Sequence, residues 1–385
     1  MVATTKILHV AETAKGGVGS YIDDVASLQV ARMGERSVRV VVPDAHAAQL
    51  QHVSSTAQRR FRAAGNRAVN TLRMARLAWA QVQEWQPDVV HLHSTFAGFA
   101  LRPWLALRSP HTRVVYCAHG WAFDREGHAL ANRAYQWIEQ VWSRWCDVVV
   151  CVSAHELREG ERIGIPGARL ARVDNGIRDT VPPPGSADVE QARAAWPPGT
   201  RRVLFVGRLD RQKGVEILFD ALRRLEGRAF AVIVGSSVVT GSDATSLPAN
   251  AHITGWLHRD QIAAYYAAAE VVVISSRWEA FSLVAVEAMR AGKAVVATAV
   301  GGLCDVVADQ LTGRLVEPGD AAALAEAVAG LDDATLARMG RAGRERYERH
   351  FRIERVVDDL DALYRDTGSV REPLATAERV RVPDA

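Results

Sequence analysis

Two patterns of hydrophobic and polar residues alternate along the whole chain. Short β-branched runs, typical of buried strands, alternate with segments whose apolar residues recur three and four positions apart, typical of amphipathic helices. The predicted strands are KILHVAE, RVVVP, DVVHLHS, RVVYCAHG, DVVVCVSA and ARVDNG, then RVLFVGR, FAVIVGSS, AHITGW, VVVISS, AVVATAV and GRLVEP. This alternation predicts an α/β fold with two helix-covered parallel sheets.

The length of 385 residues favours about two domains, at roughly 100–200 residues each. Residues 179–199 contain five prolines and little periodicity, which is typical of a connection between domains. We therefore predict a first domain over 1–180, a linker over 181–199, a second domain over 200–350, a C-terminal helix over 351–367 and a loose tail over 368–385.

The net charge of +3 hides an uneven distribution. Residues 1–178 carry 22 basic and 15 acidic side chains, whereas residues 200–350 carry 18 of each. Between positions 45 and 115, nine arginines accompany only Glu84 and Asp88. A basic field over the whole molecule is therefore excluded, but a local basic patch in the first half is expected.

Cellular location is predicted from three features. The N-terminal segment has one lysine and no sustained apolar core, unlike a signal peptide. No run approaches the ~18 apolar residues of a membrane span. The four cysteines lack metal-ligand spacing and are expected as reduced thiols. We expect a cytoplasmic protein.

Two segments, KILHVAETAKGGVGSYI and RVLFVGRLDRQKGVEIL, each predict a strand, a basic glycine-containing loop and a helix. Such loops let backbone N–H groups approach an anion. Neither matches the dinucleotide-binding or P-loop fingerprint. In the second loop, Arg208 and Lys213 add two cations that suit a diphosphate, although a pair of solvated charges would look the same.

The segment SSRWEAFSLVAVEAMRAG predicts a buried strand, a loop with Glu279 and a helix that starts near Ser282. As the N-cap, Ser282 would leave the N–H groups of Leu283 and Val284 free for a phosphate. Glu287 lies eight residues after Glu279 in an apolar stretch, where an unpaired charge is costly unless something binds it. The alternative interpretation is one solvated loop glutamate and one surface glutamate.

Together these motifs resemble the retaining, nucleotide-sugar-dependent "group 1" glycosyltransferases of GT-B fold. Glu279, Phe281 and Glu287 meet the family's E-x7-E pattern, and Arg208 with Lys213 meets its R-x4-K pattern. Further matches, in family order over about residues 6–320, are Gly16-Gly17, His119-Gly120, Val152-Ser153, Asn175-Gly176, Gly255 and Gly301-Gly302. The resemblance implies two Rossmann-like domains facing a cleft, with the C-terminal helix crossing back to the first.

The resemblance also implies roles for the matching residues. Glu279 would hold hydroxyls of the donor sugar, and Glu287 would bind the ribose of the nucleotide. His119 would sit near the reacting sugar. The implied catalytic residues are Arg208, Lys213, Glu279 and His119. The implied donor-binding residues are Gly16, Gly17, Arg208, Lys213, Glu279, Phe281, Ser282, Leu283, Val284 and Glu287.

The implied chemistry requires no cofactor and no essential metal, since Arg208 and Lys213 can neutralise the leaving diphosphate. The acidic pairs Asp23-Asp24 and Asp358-Asp359 fall in predicted helices and are expected on solvated faces. Because no carboxylate nucleophile is evident, retention would follow from departure and attack on the same face. Three residues depart from the family pattern: Ala280, in place of a frequent glycine, would narrow the loop near the sugar, and Arg178 and Asp305 bear on donor and acceptor preference.

The first domain of such enzymes receives the acceptor, and here it contains an arginine-rich segment. QRRFRAAGNRAVNTLRMARLAWAQ predicts a basic amphipathic helix with aromatic anchors; the alternative is a solvated helix with a conventional core face. Many relatives extend polyprenyl-diphosphate-linked sugars. We therefore expect a lipid-linked saccharide acceptor in envelope polysaccharide synthesis, and peripheral contact of residues 58–108 with the anionic inner face of the membrane.

Other functions stay open. One is a catalytically inactive relative that binds sugar nucleotides, against which the intact Glu279, Glu287, Arg208 and Lys213 argue. Another is an epimerase or phosphorylase of the same architecture. Nucleic-acid binding is not expected, because no recognised motif accompanies the arginines. The sequence does not select the donor base, the sugar, the acceptor or the linkage.

Overall fold

The computed structural model describes residues 5–179, 184–236 and 247–366. Residues 181–183 of the predicted linker and the predicted tail over 368–385 lie outside this range. The described chain forms two compact units, residues 5–175 with 354–366, and residues 176–353.

The first unit is built on a seven-stranded sheet of order β3-β2-β1-β4-β5-β6-β7, in which every pairing is parallel. β1 and β4 lie at its centre and all their residues are buried, because helices cover both faces. The strands are β1 (Ile7–Ala11), β2 (Val38–Pro43), β3 (Gln58–Phe61), β4 (Val89–His93), β5 (Arg113–Cys117), β6 (Val148–Cys151) and β7 (Leu170–Arg172). The helices are α1 (Gly17–Met33), α2 (Arg67–Trp85), α3 (Thr95–Arg108), α4 (Ala129–Trp142) and α5 (Ala154–Arg162).

The second unit is built on a six-stranded parallel sheet of order β10-β9-β8-β11-β12-β13. Its helices are α6 (Ser186–Arg193), α7 (Val215–Arg224), α8 (Arg259–Ala268), α9 (Leu283–Arg290), α10 (Leu303–Val306), α11 (Ala321–Ala329) and α12 (Asp333–His350). Its strands are β8 (Arg201–Val206), β9 (Ala229–Val234), β10 (Ala251–Gly255), β11 (Val271–Ile274), β12 (Ala294–Thr298) and β13 (Gly313–Val316). The prediction of two helix-covered parallel sheets is confirmed.

The last helix, α13 (Ile353–Arg365), belongs to the first unit from Glu354 onwards. Arg32 of α1 pairs with Asp358 at 2.6 Å, and Tyr364 is buried against His91 of β4. The segment marked as a linker contains α6, which packs on α8 within the second unit. No helix of the described residues is both long and apolar enough to cross a membrane.

Two sequence-based expectations are wrong in detail. Residues 58–61 form the edge strand β3, and the basic helix α2 begins at Arg67. Asp23 and Asp24 are buried, not solvated. The Asp23 carboxylate accepts hydrogen bonds from the backbone N–H groups of His52 and Val53, at 2.8 and 3.1 Å, and so fixes the loop before β3.

Candidate active site

Lys213 and Glu279 form an ion pair beyond the carboxyl end of the central strand β8. The Lys213 ammonium donates to Glu279 Oε1, and the Ser276 hydroxyl donates to the same oxygen at 2.8 Å. Only 16% of the Lys213 side chain and 9% of the Glu279 side chain are exposed. Glu279 Oε2 has no hydrogen-bond partner among the described residues, so it can accept from a ligand hydroxyl.

Arg208 is held more loosely than Lys213. Its guanidinium contacts Asp210 Oδ2 at 3.1 Å and the Gln212 side-chain oxygen at 2.7 Å, and 47% of its side chain is exposed. Ion pairs this exposed contribute little to stability, so an incoming anion can displace these partners at small cost. The prediction that Arg208 and Lys213 share one loop is confirmed by the 3-10 turn over Arg211–Lys213.

The loop of Glu279 is fixed by its backbone and by one aromatic ring. Gly302 N donates to Glu279 O at 2.9 Å, and a Cβ on Gly301, whose φ is +48°, would lie 2.0 Å from that oxygen. The buried Phe281 ring packs edge-on against Phe351, with centroids 5.7 Å apart. The ring of Phe281 therefore anchors the loop, and only the backbone of Phe281 is left to line a pocket.

Ser282 is the N-cap of α9, as predicted, but its hydroxyl makes no capping hydrogen bond. Its φ of +92° is unusual for a serine, and its buried Oγ has no partner among the described residues. The first backbone hydrogen bond of α9 is donated by Val286 N to Ser282 O. Leu283 and Val284 come before Val286 in the chain, so their N–H groups lie ahead of this bond. These N–H groups, at the positive end of the helix dipole, suit a phosphate.

Glu287 lies on α9 and is partly exposed. The hydroxyl of buried Tyr266 donates to its Oε2 at 2.8 Å, so the carboxylate is not the unpaired charge that the apolar sequence around it suggested. Tyr266 lies on α8 and was missed, because periodicity does not reveal which helix neighbours α9. The other carboxylate oxygen remains available to a ligand.

Three of the predicted site residues, Gly16, Gly17 and His119, lie in the first unit. Gly16 has a φ of +59° and is the N-cap of α1, which begins at Gly17. His119 is a partly exposed residue that follows β5 with a φ of +54°, and its ring meets Tyr21 edge-on. Burial lowers the pKa of His119 to about 3, so its imidazole is neutral near pH 7.

Sequence reasoning missed a cluster of buried histidines beneath His119: His9 on β1, and His91 and His93 on β4. The HLH triplet carried the available signal, because residues two apart on a strand point to the same face. Buried Glu156 on α5 was also missed. Burial raises its pKa to about 7, and it accepts a hydrogen bond from Val152 N at 2.8 Å.

Helices α2 and α3 present an apolar and basic surface on the first unit, called here the α2–α3 surface. A cavity of about 490 Å³ lies between them, lined by Arg67, Ala68, Thr71, Leu72, Ala75, Phe96, Phe99 and Ala100. Leu72 is 51% exposed and Leu107 is 74% exposed. Exposed apolar surface next to basic residues is typical of an interaction site, whereas apolar residues exposed singly are normal on a solvated helix.

The chain is similar to known proteins both in sequence and in fold. Residues 187–346 match the family model "Glycosyl transferases group 1", and residues 15–181 match "Glycosyltransferase Family 4". The chain is 32% identical over 325 residues to the D-inositol 3-phosphate glycosyltransferase of Geodermatophilus obscurus, covering 78% of this chain and 70% of that protein.

Two further likenesses extend the comparison. The chain is 28% identical to an uncharacterized 41.2 kDa protein in the cps region of Klebsiella pneumoniae, over 82% of this chain and 87% of that protein. Its fold is similar to that of Anabaena Alr3699/HepE in complex with UDP-glucose, with a TM-score of 0.76, 22% identity, and coverage of 93% of this chain and 99% of the other. The prediction of the GT-B fold is confirmed.

Proposed function

Because the chain belongs to the group 1 glycosyl transferases, and is therefore a glycosyltransferase, we propose that it transfers a sugar from a nucleotide-sugar donor to a saccharide acceptor with retention of configuration. The observation that carries this proposal is the Lys213–Glu279 pair. In this pair, a cation that can bind phosphate lies beside a carboxylate oxygen that is free to accept hydrogen bonds from sugar hydroxyls.

The donor is proposed to bind the second unit in an extended form. Its diphosphate would lie against Lys213, Arg208 and the N–H groups at the start of α9, and its ribose against Glu287. Lys213 is a compact charge held by Glu279, and Arg208 is an exposed planar guanidinium that can bind a phosphate through two N–H groups. UDP-glucose bound to Anabaena Alr3699/HepE supports a donor of this class.

In the proposed reaction, the bond between the anomeric carbon and the phosphate oxygen breaks first. Negative charge then builds on the diphosphate, while the sugar becomes oxocarbenium-like. The acceptor hydroxyl attacks the same face and gives its proton to the departing phosphate oxygen, which preserves the configuration. Lys213 and Arg208 are cations already in place, so stabilising this charge requires little reorganisation. We propose that this chemistry needs no cofactor, and that His119 contacts the reacting sugar.

Nucleotide binding can be tested by thermal unfolding with UDP-, GDP- and ADP-sugars. We expect one base to raise the melting temperature, since a ligand at 100 times its Kd adds about 2.7 kcal/mol to the free energy of unfolding. Glu287→Ala should weaken the Kd for that nucleotide about 10-fold or more, because a hydrogen bond to a charged group contributes about 1.5–3 kcal/mol.

Tyr266→Phe is the matched control for this measurement. It removes the hydroxyl that orients Glu287 but keeps the carboxylate, so it should weaken the Kd less than Glu287→Ala does. If no sugar nucleotide stabilises the wild type, the proposed donor class is wrong. If a nucleotide binds and no transfer to any saccharide occurs, the chain is the inactive sugar-nucleotide-binding relative.

We further propose that the acceptor is lipid-linked and that the α2–α3 surface contacts an anionic membrane. Exposed Trp104 and Leu107 on α3 supply apolar anchors, and Arg108 lies over the Trp104 ring at 4.8 Å. Arginines beside exposed aromatic residues are typical of proteins that lie at a lipid interface. The kinship with a protein of the cps region supports a role in polysaccharide synthesis.

Membrane contact can be tested by co-sedimentation with vesicles of anionic phospholipid. Reversing four exposed arginines of α2 and α3 to glutamate (Arg67, Arg73, Arg76 and Arg108) should abolish sedimentation, since each basic residue near an anionic surface contributes about 1 kcal/mol. The control reverses four exposed arginines of the second unit (Arg224, Arg228, Arg338 and Arg341) and changes the net charge equally. Equal binding by both variants would contradict contact through this surface.

A further inference from the structure

A continuous row of hydrogen bonds connects α1 to His119 through the core of the first unit. Gln29 Oε1 lies 2.8 Å from His9 Nε2, and His9 Nδ1 lies 3.0 Å from His93 Nε2. His93 Nδ1 lies 2.9 Å from His119 Nε2. Gln29, His9 and His93 are fully buried, and successive rings stack with centroids 5.3 and 5.2 Å apart.

All three imidazoles in this row are neutral near pH 7. Burial lowers the pKa of His9 to about 4 and that of His119 to about 3, and it holds the pKa of His93 well below its ordinary value. A neutral imidazole has one N–H donor and one bare acceptor nitrogen. Each ring therefore donates a hydrogen bond on one side and accepts one on the other. As a result, all the hydrogen bonds of the row must point the same way, from donor to acceptor.

The direction is set at Gln29 on α1, whose side-chain oxygen faces His9. Gln29 Oε1 lies 2.8 Å from His9 Nε2, and an amide oxygen can only accept a hydrogen bond. His9 therefore donates from Nε2 to Gln29.

From that fixed acceptor the protons can be placed one by one. His9 donates from Nε2 to Gln29, so its Nδ1 is bare and accepts from His93 Nε2–H. The Nδ1 atom of His93 is then bare and accepts from His119 Nε2–H. We propose that Gln29, His9 and His93 form a buried relay that fixes His119 in the Nε2–H tautomer, with a bare Nδ1.

The relay decides what His119 can do at the site. A bare Nδ1 accepts a hydrogen bond from a hydroxyl, whereas the opposite tautomer would present an N–H there and repel that proton. Gln29, His9 and His93 are thus positioning residues, since they act through His119. That the hydroxyl belongs to a sugar rests on the proposed function, but the tautomer itself does not.

The tautomers can be determined in the protein without substrate, from long-range ¹H–¹⁵N correlations after labelling its 12 histidines with ¹⁵N. We expect His9, His93 and His119 to appear each as a single Nε2–H form, with assignments from His→Asn variants. Because this spectrum needs no activity, failure of the proposed function would leave it unchanged. A wild-type His119 that carries its proton on Nδ1, or a mixture, overturns the proposal.

Gln29→Leu removes the terminal acceptor and should let the row reverse, so that an Nδ1–H form of His119 appears. Turnover should fall in proportion to the fraction of His119 that adopts the Nδ1–H form. The matched control is Gln81→Leu on α2, which removes a buried amide that accepts from Arg39 and Arg59 and has no contact with the row. It should leave both the tautomer and turnover unchanged.

Two further results would overturn the relay. One is a His119 tautomer that does not respond to Gln29→Leu, or that responds equally to Gln81→Leu. The other is capture of the cluster by a metal, since His9, His91 and His93 bring ring nitrogens within 4.8 Å of one another. Loss of the N–H signals of His9 and His93 on adding one equivalent of Zn²⁺ would assign these residues to metal binding instead.

Discussion

Replacing Lys213 by alanine is expected to lower turnover about 10²–10³-fold, which is the usual effect of removing one preorganised group that stabilises a developing oxyanion. The donor KM should change much less. Lys213 is held by Glu279 before any donor binds, so its charge acts mainly as the leaving group becomes more negative. Steady-state kinetics with the donor identified by thermal unfolding would measure both parameters.

The control for this change is Arg211→Ala, which removes an exposed cation from the same 3-10 turn. It should keep turnover within a few-fold of wild type. Lys213→Ala also takes a partner from the nearly buried Glu279, so its melting temperature must be followed to separate instability from lost catalysis. A folded Lys213→Ala protein with full turnover would contradict the role assigned to Lys213.

The fold could be predicted from the sequence wherever a strand was buried on both faces. In β11 every residue is apolar and buried, which gives the unbroken apolar run typical of an interior strand of a parallel sheet. The edge strand β3 was missed because Arg59 and Arg60 interrupt its apolar pattern. An edge strand has one neighbouring strand, here β2, and pairing with β2 determines the conformation of β3. No pattern within β3 itself indicates this pairing.

The candidate site was predictable where chemistry and spacing coincide in one segment. Arg208 with Lys213, and Glu279 with Glu287, are such cases. What could not be predicted is which side chains meet from distant segments. Tyr266 reaches Glu287 from α8, and His9 reaches His93 because β1 and β4 are neighbours in the sheet. The contact between His9 and His93 depends on the order of the strands in the sheet. β1 and β4 are neighbours there, although β2 and β3 lie between them along the chain.

Replacing Arg102 by methionine is expected to destabilise the first unit by about 3–5 kcal/mol, because it leaves Glu139 as an uncompensated buried charge. Arg102 on α3 donates to Glu139 Oε2 on α4 at 2.7 Å, and neither side chain is exposed. Its guanidinium also lies 3.9 Å from the centroid of the Tyr116 ring, and Tyr116 donates to Glu139 Oε1 at 2.8 Å. Gly98 makes room for this ring, since a Cβ there would lie 2.3 Å from it.

Urea unfolding followed by tryptophan fluorescence would measure this loss, because seven of the ten tryptophans lie in the first unit. The control is the double variant Arg102→Met/Glu139→Gln, which removes both charges but keeps an acceptor for the Tyr116 hydroxyl. It should recover at least half of the stability lost by Arg102→Met, since the cost comes from the unpaired charge and not from the missing attraction. A double variant as unstable as Arg102→Met would instead show that the guanidinium stabilises the first unit through its packing on Tyr116.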